Sequence, residues 1–185
     1  LLLGLYLIYQ GGAPIAIIGV ASLITAFLYT GGPFPLSYFA LGEVLAFVFF
    51  GPIAVWGTAH LQHPVLDHEL TILLGFIPGF FSAAIMSVNN YRDQIQDAQA
   101  KKYTMSVFLG KNLSRLLPII FILGAFILSA FFLLQISKSV IILLMLYLLI
   151  FYKTWRQILL MPISSELNNS LAHIGKLLFL FSLTI

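Results

Sequence analysis

The chain has 185 residues and a formal net charge of +3; 61% of its residues are hydrophobic and only 8% charged, for a mean hydropathy of +1.04. That ratio excludes a soluble globular domain. The absence of cysteine excludes disulfides, thiolate zinc sites and redox pairs.

Apolar blocks fall near residues 1–9, 13–30, 38–59, 70–88, 116–135, 139–155 and 171–185. Most approach the ~20 residues needed to cross roughly 30 Å of hydrocarbon, so the chain reads as an integral membrane protein. The elements are helices: an isolated strand in lipid would leave its backbone groups unpaired, and a barrel would alternate with period two. The first block rises only about 13 Å, less than half the hydrocarbon core. It opens on Leu1 with no initiator Met and no basic flank of the kind a signal peptide carries. A fragment is therefore expected, lacking at least one earlier helix.

The third block carries Gly51-Pro52 and the fourth Pro78, each of which removes a backbone hydrogen bond and kinks its helix. Pro78 reads as a packing kink. Pro52 reads equally as a cavity wall, because the acidic Glu43 precedes it on the same predicted helix. Between these blocks lie His60, His63, Asp67, His68 and Glu69, whose spacing does not match a zinc-binding helix and which read as loop imidazoles.

The fourth block ends in the most polar stretch of the chain, Asn89 to Lys102. At helical spacing Asn89, Asp93 and Asp97 recur at i, i+4 and i+8, which stacks an amide oxygen and two carboxylates on one face with Arg92, Lys101 and Lys102 nearby. Hard oxygen donors flanked by cations suit a magnesium–diphosphate site. The plain alternative is a solvated helix end with Arg92 and Lys101 in surface ion pairs; the company of Asn89, Asn90 and Thr104 weighs against it. If the ladder is functional, its three side chains converge on a cavity open to the membrane interior.

Lysine and arginine divide by helix parity. With the loop after Val88 cytoplasmic, that side collects Arg92, Lys101, Lys102, Lys111, Arg115, Lys153, Arg156 and Lys176, and the other side only Lys138. The basic excess is therefore a matter of sidedness and calls for no nucleic-acid partner. The same parity puts the 31–35 turn, the Asp93/Asp97 segment and the 153–169 connection on one face as a shared cap, with the histidine loop opposite. His173 reads as a helix-start residue.

Asn89 through Gly110, with the run Asn-Asn-x-Arg-Asp-x-x-x-Asp, resembles the second aspartate-rich motif of the UbiA-type intramembrane prenyltransferases. Residues 29–33 (Tyr-Thr-Gly-Gly-Pro) and 41–51 resemble, within that family, the branch acting on 1,4-dihydroxy-2-naphthoate in menaquinone synthesis. The resemblance implies an all-α polytopic transmembrane helix bundle, with about seven of an expected nine helices present. Residues 1–185 would form one membrane domain and 89–115 a cytoplasmic Asp-rich cap loop. It implies Mg2+ held by Asn89, Asp93 and Asp97, with Asp93 and Asp97 catalytic, and diphosphate bound by Arg92, Lys101 and Lys102. An acceptor pocket would be formed by Tyr29, Glu43, Asn90 and Tyr91, with apolar walls from Phe47, Phe49 and Phe50. The implied partners are a polyprenyl diphosphate, an aromatic acceptor and the bilayer, in a bacterial cytoplasmic membrane with the site toward the cytoplasm.

Two departures accompany the resemblance. Lys101 stands where the family usually has Gly, and the family's first aspartate-rich motif is not found, so it is expected before Leu1 and the fragment alone is expected to be inactive. Alternatives are another aromatic acceptor or, from a different class, a polytopic transporter. A transporter would place paired charges near the bilayer midplane rather than at a helix mouth.

Overall fold

A computed structural model describes residues 2–62, 67–135, 138, 140–160, 163–164 and 166–183. The chain is 85% helical, with no strand among the described residues, so the expected all-α polytopic bundle holds. Helix α1 (Leu2–Thr30) is followed by a 3₁₀ turn at Leu36–Tyr38. Helix α2 (Gly42–Val48) runs through a π-helical turn at Phe49–Ile53 into α3 (Ala54–Gln62). Then come α4 (His68–Arg92), α5 (Gln94–Gln99), α6 (Met105–Ser114), α7 (Leu117–Leu133), α8 (Val140–Ile150), α9 (Tyr152–Leu160) and α10 (Leu167–Ser182).

Three of the described helical units are long and apolar enough to span a membrane: Leu2–Thr30, Gly42–Gln62 and His68–Arg92. A fourth arises if α6 and α7, bent by 85° at their junction, count as one broken span. The apolar blocks map onto these helices with three adjustments. Blocks 1–9 and 13–30 fuse into α1, broken at Gly12 (φ +66°, ψ −153°), a backbone conformation that glycine adopts without steric cost. Block 139–155 is divided at Phe151 into α8 and α9. His173 stands inside α10 rather than at its start, because the helix begins six residues earlier, at Leu167.

Helix α4 is the axis of the bundle. It packs against α2, the π turn and α3 on one side and against α7 and α10 on the other. Asp67 caps its start, accepting from the Leu70 N–H at 3.1 Å. On the first side the contact is backbone against backbone: a Cβ placed on Gly51 would lie 2.6 Å from Gly79 Cα, and one on Gly79 would lie 2.7 Å from the Phe47 carbonyl. Gly75 and Gly79, four apart on α4, are thus a small-residue seam of the kind that lets membrane helices approach closely. The break at Gly51-Pro52 serves this packing. Phe49 and Phe50, rather than Pro52, face the cavities described below.

On the other side of α4 the packing is aromatic. Phe181 of α10 sits 5.2 Å from Phe81, 5.4 Å from Phe126 and 5.5 Å from Tyr147, which joins α4, α7, α8 and α10. Edge-to-face ring pairs of this kind contribute about 0.5–1.5 kcal/mol each beyond their burial. The Tyr147 hydroxyl donates to the Leu180 carbonyl at 2.9 Å, so its polar tip is satisfied inside the bundle.

Candidate active site

The polar segment leaves α4 through a one-residue break at Asp93 (φ −93°, ψ 6°) that keeps the i→i−4 hydrogen bonds. The Asp93 N–H donates to the Asn89 carbonyl at 3.1 Å and the Asp97 N–H to the Asp93 carbonyl at 2.8 Å. The i, i+4, i+8 ladder read from the sequence therefore exists as one face. Helix α5 ends in a Schellman turn: Lys101 N–H donates to Ala98 and Lys102 N–H to Asp97, at 3.1 and 2.8 Å. Lys101 occupies the left-handed position of that turn, with φ +54°. This is the place where the family resemblance led one to expect glycine, and the turn forms despite the side chain, at a cost of roughly 1 kcal/mol.

The turn folds Lys102 back onto Asp97, its ammonium donating to Oδ1 at 3.2 Å. Asp97 is buried, and its other oxygen, Oδ2, has no hydrogen-bond partner among the described residues. Arg92 makes a bidentate pair with Asp93 at 2.7 and 2.6 Å, and its Nη2 also donates to Asn89 Oδ1 at 2.8 Å. Lys101 is exposed.

Three distant segments meet here. Phe39, just beyond the 31–35 turn, forms a backbone bridge with Tyr103. Asn90 donates to Glu43 Oε1 at 2.9 Å, and Arg92 Nη1 donates to Asn168 Oδ1 on α10 at 2.5 Å. Gln94 ties α5 to α6 through the Ser106 carbonyl.

Two cavities lie beneath this cap. One, of about 440 Å³, is lined by Ser82, Ile85, Met86 and Leu171, with Asn89 as its polar end. The second, of about 520 Å³, runs from Ser22 and Thr25 to Tyr29 and Gly42. Ala46, Phe50 and Met86 are common to both and form the wall between them. The expected convergence on a cavity is met only by Asn89. Asp93 and Asp97 lie one and two turns farther along the ladder and line neither of these cavities.

The acceptor-pocket set is brought together in three of its four members. Gly42 lies between them: a Cβ there would sit 3.2 Å from Tyr29 Oη and 3.4 Å from Asn90 Nδ2. Glu43 is 1% exposed, and its Oε2 lacks a partner among the described residues. Tyr91 is the exception. One residue past Asn90 turns its side chain about 100° around the helix, and it enters the hydrophobic core on the opposite side of α4. Of the expected apolar walls, Phe47 instead packs edge-on against Phe76 and Phe80, at 5.2 and 5.0 Å.

At the other end of the bundle, Trp56 stacks on His60 at 5.0 Å and donates its indole N–H to His68 at 2.9 Å. His63 lies outside the described residues. No group of three or more His, Cys, Asp or Glu side chains among the described residues is arranged to hold a metal ion. Sequence reasoning passed over Asn168 and Met86. The paired Asn168-Asn169 at the start of an otherwise apolar helix was an available signal for the first; nothing local marked the second.

The fold and site define a helical membrane bundle in which a cap of amide, carboxylate and guanidinium groups closes over apolar cavities. Residues 1–180 match the UbiA prenyltransferase family, and the chain belongs to it. It is 37% identical over 116 residues to a 1,4-dihydroxy-2-naphthoate octaprenyltransferase of Mycobacterium tuberculosis, covering 63% of this chain and 39% of that protein. A protein of the same name from Haemophilus influenzae is 39% identical over 93 residues, 50% of this chain and 30% of its own length. The UbiA prenyltransferase domain-containing protein 1 of Danio rerio is 37% identical over 100 residues, 54% of this chain and 29% of its length. The chain thus spans well under half of the curated relatives it matches. No solved structure matches it.

Proposed function

We propose that the protein containing this chain transfers a polyprenyl group from its diphosphate to 1,4-dihydroxy-2-naphthoate, with loss of the ring carboxylate as carbon dioxide, in menaquinone synthesis. The observation that carries this reading is the Asn89–Asp93–Asp97 ladder, with a buried carboxylate oxygen that meets no donor among the described residues and with Arg92 and Lys102 alongside. A buried, unpartnered carboxylate oxygen is costly unless a cation meets it, and three hard oxygen donors fit Mg2+. When bound, the ion supplies neutralisation of the negative charge that develops on the departing pyrophosphate.

Arg92, Lys101 and Lys102 would bind the diphosphate oxygens, Arg92 as a planar fork and the lysines as point charges. The cavity ending at Asn89 would take the proximal part of the prenyl chain against Phe50, Ile85 and Leu171, with an aromatic face available to the allylic cation. The ring would lie in the cavity ending at Tyr29 and Gly42, its hydroxyls directed by Tyr29 Oη and by the free oxygen of Glu43. The distribution of Lys and Arg supports a cap facing the cytoplasm in a bacterial inner membrane.

Membranes containing the full-length protein, given a labelled polyprenyl diphosphate, Mg2+ and each acceptor in turn, are expected to favour dihydroxynaphthoate over 4-hydroxybenzoate by about a hundredfold or more in kcat/KM. Efficient prenylation of hydroxybenzoate with no demethylmenaquinone formed would overturn the acceptor assignment. Glu43→Gln keeps an acceptor for the Asn90 amide, so it is expected to fold normally and to raise KM for the acceptor about tenfold with KM for the diphosphate unchanged. Glu43→Leu strands the Asn90 amide in the interior and is expected to cost about 1–3 kcal/mol, read as a lower midpoint of thermal unfolding in detergent.

A further inference from the structure

Arg92 holds the oxygens that the proposed function assigns to the metal. Its Nε and Nη2 take both oxygens of Asp93 at 2.7 and 2.6 Å, Nη2 takes Asn89 Oδ1 at 2.8 Å, and Nη1 reaches across to Asn168 Oδ1 at 2.5 Å. All three of its nitrogens are engaged in these bonds, and none is aimed at an empty site. A guanidinium so placed neutralises Asp93, and a dication bound to the same oxygens would sit beside a like charge only a few ångströms away. Asp97 has one oxygen on Lys102 and the other without a partner among the described residues, so no guanidinium holds it there.

From this geometry we infer that Arg92 is a latch: it holds the oxygens of the Asn89/Asp93 half of the site and must leave for a divalent cation to bind there. The inference rests on the metal–diphosphate reading of the ladder. The diphosphate gives the guanidinium somewhere to go, since its oxygens match the same planar fork. Cation and diphosphate therefore bind cooperatively, each removing an obstacle to the other, and by linkage the enhancement is reciprocal. Release also breaks the bond to Asn168, so the start of α10 loses this one polar link to α4 while the apolar packing of the two helices remains.

The test is binding, without turnover. Mn2+ is titrated by electron paramagnetic resonance into the full-length protein in lipid nanodiscs, with and without inorganic pyrophosphate. In the wild type, pyrophosphate is expected to tighten Mn2+ binding about tenfold. Arg92→Gln is expected to bind Mn2+ alone several-fold more tightly than wild type and to lose most of the pyrophosphate enhancement. Asn168→Ala, which weakens the latch without touching the ladder, is expected to shift Mn2+ affinity in the same direction by a smaller factor. This second variant keeps the test decisive if Arg92→Gln folds poorly. Unchanged or weaker Mn2+ binding in Arg92→Gln, or in Asn168→Ala where the first cannot be prepared, overturns the latch. Mn2+ binding that survives unchanged in both Asp93→Asn and Asp97→Asn overturns the metal reading itself, which is a different result.

Discussion

Replacing Asp97 by Asn is expected to lower kcat/KM for prenyl transfer by about a hundredfold or more at saturating Mg2+, in line with the loss of one group that stabilises developing charge. The side chain is buried, one oxygen is shared with Lys102 at 3.2 Å, and the other meets no donor among the described residues. Were this carboxylate purely structural, the isosteric amide would still accept from Lys102, and losing the charge of a partly exposed pair would cost about 1 kcal/mol or less with no loss of turnover. The structural and functional roles therefore predict different results. Stability should change little while activity collapses. Asp93→Asn differs in its stability effect: it breaks the partly exposed bidentate pair with Arg92, at a cost of about 1 kcal/mol or less. Wild-type turnover in membranes carrying Asp97→Asn would remove the carboxylate from the chemistry.

Much of the site was legible because it rests on periodicity. Helical spacing past the end of α4 sets Asn89, Asp93 and Asp97 one turn apart, and the hydrogen bonds from 93 to 89 and from 97 to 93 keep that spacing across the break at Asp93. The pairing of Glu43 with Asn90 could be guessed from the cost of burying an acid within a helix. Tyr91 could not be placed, since composition says that a tyrosine is amphipathic but not which side of a central helix it takes; here the core won. Nor could the two-cavity arrangement be read. It depends on Met86 and Phe50 meeting from different helices, and a contact across 36 positions leaves no local signature. Arg92 was read as a ligand for diphosphate from its charge; its pairing with Asp93 and its reach to Asn168 on α10 depend on side-chain placement that the sequence pattern does not carry.

The π-helical break shows the same limit in the backbone and leads to the largest structural effect expected of any single substitution. Gly51-Pro52 and Pro78 announced kinks, but not that the kinked segments press together through Gly51, Gly75 and Gly79. A Cβ on Gly75 would lie 2.6 Å from Pro52 Cα, and one on Gly79 would lie 2.7 Å from the Phe47 carbonyl. Both obstacles are backbone, which cannot swing aside as a flexible side chain can. Gly79→Val must therefore part α4 from the π turn, with strain of roughly 3 kcal/mol or more. Because Ala46, Phe50 and Met86 are carried on α2, the π turn and α4, the wall between the cavities goes with the seam. The full-length variant is expected to lose most of its monodisperse fraction on extraction into mild detergent and to unfold at lower temperature. Gly19→Ala, on α1 where an added Cβ meets nothing within 4 Å, is expected to behave as wild type. If Gly79→Val were recovered as well folded as Gly19→Ala, α4 and the π turn would not be in backbone contact, and the positions of both cavities would have to be redrawn.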